Sequence, residues 1–189
     1  MASRSEGFGV GPLAGLNLAN ADVKGRDTHS ITGWAFGGRV EMGMLLPFLG
    51  LMVDPMLVES GVDFDGDGNA DPGRGRFVNL EVPVLLKARL GLPGLGVYGF
   101  LGPNLVFNTN ASGHVVASDD LGSSDVERTG LAGQVGAGVD FGLAPAISLT
   151  ADARYSHGFT NLLSGANGDV KEWRNRDVRL TVGVLLHSP

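Results

Sequence analysis

Apolar and polar residues alternate with a period of two along most of the chain, the pattern of strands that are apolar on one face and polar on the other. In "PAISLTADARYSHGFT", Ile147, Leu149, Ala151, Ala153 and Tyr155 share one face, continued by His157 and Phe159. Ser148, Thr150, Asp152, Arg154, Ser156 and Thr160 share the other. Near the end, Val178, Leu180, Val182, Val184 and Leu186 oppose Arg179, Thr181 and Gly183; Trp34, Phe36, Val40, Met42 and Met44 oppose Gly37, Arg39, Glu41 and Gly43. Extended over the chain, the pattern predicts eight strands, at 7–19, 29–45, 48–60, 76–91, 96–109, 129–143, 146–161 and 176–187.

The connections alternate in length. Tight turns fall at Leu46-Pro47, "GLPGLG" and "GLAPA"; longer polar stretches are "NADVKGRDTH", the acidic segment after strand three, "NASGHVVASDDLGSSDVE" and "NLLSGANGDVKEWRN". In an up-and-down barrel every second connection lies on the same rim, so one rim collects turns and the other loops. Transmembrane barrels of the outer-membrane type have this form and an even strand number. The expected fold is therefore all-β: an eight-stranded antiparallel up-and-down transmembrane β-barrel, one domain over 1–189, with four longer loops on one rim.

The polar faces decide between a soluble and a membrane barrel. They carry Arg39, Glu41, Asp54, Glu81, Lys87, Arg89, Asp140, Asp152, Arg154 and Arg179, five bases and five acids. A solvated surface would show more lysine and less balance, whereas an enclosed face must pair its charges. These ten are expected to form a charge network inside the barrel. Glycine fits: of 31 in the chain, Gly9, Gly11, Gly15, Gly33, Gly37, Gly43, Gly136, Gly138 and Gly183 fall on the same faces. An eight-stranded barrel is just wide enough for side chains to fill, so it should be plugged rather than an open pore. Trp34, Phe77, Tyr98, Phe107, Tyr155 and Phe159 lie near strand ends, as interfacial aromatics do.

Composition removes other classes. A net charge of −6 without a basic run argues against nucleic acid. With no cysteine, disulfides, thiolate metal sites and cysteine catalysis are excluded; the compartment is left open by that alone. "MASRSEGFGV" has no apolar signal-peptide core, which suits a cytoplasmic chain or a mature form, and "MGMLLPFLGLMV" is too short for a spanning helix.

With these segments in order, the chain resembles the small bacterial outer-membrane β-barrel proteins of the PorT-like type, relatives in shape of OmpX and the OmpA barrel. The resemblance rests on "GPLAGLNLAN", "NLEVPVLLKARL", "YGFLGPNLVFN", "AGVDFGL" and "SLTADARYSHGFTNL", and covers nearly the whole chain. It implies fold and location in the outer membrane. The chain departs from many such barrels in ending "VLLHSP" rather than on an aromatic residue.

Candidate chemistry is limited. In "VDFDGDGNADPGRG", Asp63, Asp65, Asp67, Asn69 and Asp71 place oxygens at alternate positions around Gly68, as in a calcium loop. Arg74 stands where the bidentate glutamate of a helix–loop–helix sensor belongs. The expectation is a loop-stabilising Ca2+ site, the alternative a solvated acidic hairpin loop. "GLGVYG" matches a dinucleotide fingerprint by letter, but opens a strand and not the helix that motif requires. His29, His114, His157 and His187 have no metal-type spacing, and adjacent Ser156 and His157 must point to opposite faces. Asn110-Ala111-Ser112 reads as a glycosylation sequon by chance. The expected role is structural or surface-interacting through the loops: no enzyme, no nucleic acid, a monomer in contact with membrane lipid and an unknown surface partner. The alternatives are a soluble lipocalin-like barrel holding a small apolar ligand and a barrel-embedded lipid-modifying enzyme.

Overall fold

The computed structural model describes residues 7–23, 28–44, 46–64, 73–92, 94–112, 129–159 and 173–188. They form β1 (Phe8–Val23), β2 (Thr28–Gly43), β3 (Leu49–Val53), β4 (Met56–Phe64), β5 (Gly73–Leu92), β6 (Leu95–Ser112), β7 (Thr129–Ala144), β8 (Ile147–Gly158) and β9 (Trp173–His187). Every strand pairs antiparallel with its neighbours, and β1 pairs with both β2 and β9, so the sheet closes on itself. No helix occurs among the described residues.

Nine strands make eight staves, because β3 and β4 are one stave interrupted at Asp54-Pro55. The interruption does not shift the register: Val40 faces Val53 and Gly37 faces Met56 on either side of it. Its cause is local. Pro55 has no N–H to give the ladder, and Asp54 lies beside Pro83 of β5, which also lacks one; Asp54 N–H still reaches the Pro83 carbonyl at 3.3 Å. Two prolines on neighbouring staves thus thin the hydrogen bonding where a functional carboxylate enters the barrel.

Strands run further than the alternation pattern predicts. β1 continues to Val23 and pairs with β9 as far as Trp173, and β4 continues to Phe64, opposite Gly73. Segments such as "ADV" and "GVDF" are too short and too rich in turn-type residues, with Asp22, Gly61 and Asp63 among them, for their hydropathy alone to separate ladder from loop. Hydrogen bonding to the adjacent stave decides it.

The two faces have inverted polarity. Large apolar side chains point out and are exposed, including Leu16 at 58%, Phe36 at 58%, Leu101 at 62% and Leu180 at 53%. Polar and charged side chains point in and are buried, together with two small apolar clusters, Leu13, Ala35, Met56 and Val58, and Met52, Leu85, Tyr98 and Phe100. A soluble barrel closed around an apolar ligand would show the opposite arrangement, so the lipocalin-like alternative fails on this inversion. Trp34, Phe107, Tyr155 and Phe159 are exposed on the outer face, joined toward the turn rim by Phe8, Phe48 and Phe141.

Tyr98 corrects the aromatic expectation. It is 2% exposed and lies in the lumen, because it shares parity with Gly96 and Phe100, which also face inward. Phe77's side chain lies outside the described residues.

Candidate functional site

Among the described residues, the lumen is where the fold concentrates chemistry-bearing groups. At its centre four residues form a closed ring of ion pairs. Arg39 Nη2 lies 2.7 Å from Asp54 Oδ2 and 2.7 Å from Asp152 Oδ2. Arg154 completes the ring, with Nη2 2.6 Å from Asp152 Oδ1 and Nη1 3.1 Å from Asp54 Oδ2. All four side chains are 0% exposed. Each guanidinium spans two carboxylates, so the quartet is neutral and its charges are paired in a low-dielectric interior.

Neutral donors close the remaining valences. Thr181 donates to Asp152 Oδ1 at 2.8 Å, and the Tyr98 hydroxyl donates to Asp152 Oδ2 at 3.2 Å. Tyr98 also lies 2.7 Å from the Thr150 hydroxyl and accepts from Arg39 Nη1 at 3.2 Å. Such a fully satisfied network holds its members in one arrangement.

Glycines make room for it. Arg39 stands opposite Gly11 and Arg154 opposite Gly136. A methyl at Gly11 would strike the Val184 carbonyl, and one at Gly136 the Phe100 ring and the Ala153 carbonyl, so the glycines let neighbouring backbone and ring close in around the network. Gly138 stands opposite Tyr98, and a methyl there would sit 2.5 Å from the tyrosine oxygen and 2.6 Å from the Ala151 carbonyl. Glycine is therefore required by the close approach of ring and backbone.

Toward the turn rim lies a second group. Lys87 Nζ is 2.9 Å from Glu41 Oε1 and 3.1 Å from Asp140 Oδ2, and sits 3.8 Å above the centre of the Tyr98 ring. Arg89 Nε is 3.7 Å from Asp140. Toward the loop rim, Arg179 Nη2 is 2.9 Å from Glu81 Oε1, Asn104 donates to Glu81 Oε2 at 2.7 Å, and Arg179 Nε donates to Asn17 at 3.3 Å. The ten charged residues singled out from the sequence thus face inward in three layers, four at the centre, four toward the turns and two toward the loops.

Sequence reasoning did not single out Asn17, Asn104 and Asp177, set Thr150 and Thr181 on the polar faces without a role in the network, and read Tyr98 as interfacial. All lie at inward parity and are buried. The signal available was that parity, which applies to uncharged residues as well as to charged ones.

The acidic segment is only partly within view. Asp63 is a strand residue opposite Arg74 across the β4–β5 ladder; Asp65, Asp67, Asn69 and Asp71 lie outside the described residues. "GLGVYG" forms the β5–β6 turn and the start of β6, with Gly94 at φ +77°, and no helix follows it. Ser156 is buried while His157 lies on the outer side beside Tyr155, 3.5 Å from its hydroxyl, so the two form no dyad. Among the described residues no group of histidine and carboxylate side chains could hold a metal ion.

A closed barrel, apolar outside and ion-paired inside, is the form of a protein that crosses a membrane with strands. Residues 2–164 match the family model of the outer membrane protein beta-barrel domain. The chain belongs to that family and is a protein of the bacterial outer membrane. Solved structures share the fold. The outer membrane protein OprG from Pseudomonas aeruginosa is 14% identical with a TM-score of 0.61, over 97% of this chain and 96% of that one. Neisserial surface protein A is 20% identical with a TM-score of 0.53, over 95% and 96%. No curated protein matches the sequence.

Proposed function

We propose that the chain is a non-conducting outer-membrane barrel whose role is structural or surface-interacting, carried by its longer connections at one rim. The supporting observation is the Arg39–Asp54–Arg154–Asp152 quartet, which joins opposite walls with all four side chains fully buried. A lumen so occupied provides rigidity, not passage. The longer connections of the sequence then carry that role, and a surface partner meets the monomeric barrel there. The same reading assigns no enzymatic role, since the nucleophile–base pairing considered from sequence does not form.

Calcium belongs to the proposal. Pairing of Asp63 with Arg74 brings the first and twelfth positions of the acidic segment together at the base of a hairpin. An ion held by Asp63, Asp65, Asp67, Asn69 and Asp71 would order that hairpin's tip. Titration calorimetry of the folded protein tests this part: heat of binding at sub-millimolar to millimolar calcium, abolished by Asp65→Asn with Asp67→Asn, is expected. A flat titration removes calcium from the account. Liposome swelling tests the lumen: vesicles carrying the protein should be no more permeable to small sugars than empty ones.

A further inference from the structure

On the outer face, β8 and β9 share one apolar band. From Ile147 to Tyr155 on β8 and from Leu186 to Val178 on β9, every outward side chain is apolar, pair by pair across the ladder. That run has the length of a tilted spanning strand, about nine residues. The next outward pair is His157 with Arg176. Both staves thus turn from apolar to basic at one level, on the loop side. The longer loops of such barrels face the cell exterior, so that level lies among the headgroups of the outer leaflet.

Arg176 is exposed, while the next residue, Asp177, is buried. Among the described residues, every other lysine or arginine side chain (Arg39, Lys87, Arg89, Arg154 and Arg179) faces the lumen. His157 is held between two aromatic rings. It stacks on Tyr155, with ring centres 6.4 Å apart and planes at 21°, and meets Phe159 edge-on at 5.8 Å. The Phe159 ring leans over the neighbouring stave: a methyl at Gly133, which stands opposite His157, would lie 2.7 Å from it. Across β7, β8 and β9 the outer face therefore presents an aromatic ring, an imidazole and a guanidinium in one row, directly above the apolar band.

We propose that Arg176 and His157 bind the phosphomonoester headgroup of an outer-leaflet lipid, whose acyl chains lie along Tyr155 and Val178. A guanidinium matches phosphate through paired N–H donors. It carries five such donors, so a neighbour within the protein still leaves others for a lipid. The imidazole adds a donor beside it, and two basic groups suit a doubly charged phosphomonoester. An arginine on the lipid-facing wall is favourable at this depth because anionic headgroups meet it there. The apolar band directly below selects a lipid over free phosphate, which has nothing to lay on it. The inference rests on the outer face meeting lipid, and the test separates the two.

The barrel is folded in detergent micelles, with folding checked by the heat-dependent gel shift. It is titrated with lipid A as its bisphosphate and with the same lipid stripped of phosphate, and bound lipid is counted by native mass spectrometry. The bisphosphate should bind about tenfold more tightly. Arg176→Gln with His157→Gln should bring the two affinities close together, leaving binding of the stripped lipid unchanged. Equal affinity of the wild-type barrel for the two lipids overturns the phosphate site. A phosphate preference that survives the double variant overturns its location. The chain has no cysteine, so Val178→Cys labelled with bimane reports on the band just below the site. In lipid vesicles that label should be quenched by brominated acyl chains. Emission as in water would be a failure of the lipid-facing assignment instead.

Discussion

Arg154 and Asp54 come from opposite walls of the barrel, four staves apart in either direction, yet their Nη1 and Oδ2 atoms lie 3.1 Å apart. Such a contact is reached only if the lumen is narrow. Arg39 and Asp152 make a second tie at 2.7 Å between β2 and β8, three staves apart through β1 and β9. The interior is therefore tied across its diameter by charge, with two small apolar clusters packed beside the ion pairs.

Removing one member should cost more than removing a pair. Arg39→Ala leaves Asp54 and Asp152 sharing a single cation, and the expected loss is about 3–5 kcal/mol. The double variant Arg39→Met with Asp54→Leu discards a whole ion pair and should lose much less. Equilibrium unfolding in urea from lipid vesicles measures both; equal losses would mean that the pairing contributes little.

Gly138 should tolerate no side chain while Tyr98 is present. Gly138→Ala brings a methyl against the tyrosine hydroxyl and the Ala151 carbonyl, an overpacking expected to cost about 1–3 kcal/mol. Tyr98→Leu in the same chain should recover the part due to the ring and leave the part due to the backbone. A double-mutant cycle reads the two contributions; strict additivity would contradict the contact.

The outer face should reject charge according to depth. Leu180 lies outward near the middle of β9, opposite Leu16 of β1. Leu180→Arg should destabilise the barrel in bilayers by about 2–4 kcal/mol, and substitution nearer a rim by about 0–1. Unfolding titrations at several positions along β9 would show that gradient, and a flat profile would contradict the lipid-facing assignment.

Much of this was legible in the sequence, for reasons specific to its residues. Period-two alternation in "ISLTADARYS" and "VRLTVGVLL" set both stave and face, and the inward parity of Arg39, Arg154 and Arg179 followed. What escaped was whatever depends on contact across the lumen. Tyr98 reads as an interfacial aromatic until its ring is seen between Lys87 and the quartet, anchored to Thr150 and Asp152. Grouping into three layers was also hidden, because it arises from the tilt of the staves and joins residues such as Asp54 and Arg154 that lie 100 positions apart. The reach of β1 to Val23 and of β4 to Phe64 was hidden for another reason: these short segments hold aspartate and glycine, residue types that read as loop, and only pairing with the next stave shows them as strand.

Single-channel recording in planar bilayers tests the closed lumen most directly. The account predicts no conductance steps from the wild-type protein, and discrete steps once Arg39→Ala and Arg154→Ala together empty the quartet's level. Stable, porin-like conductance from the wild-type chain would contradict it.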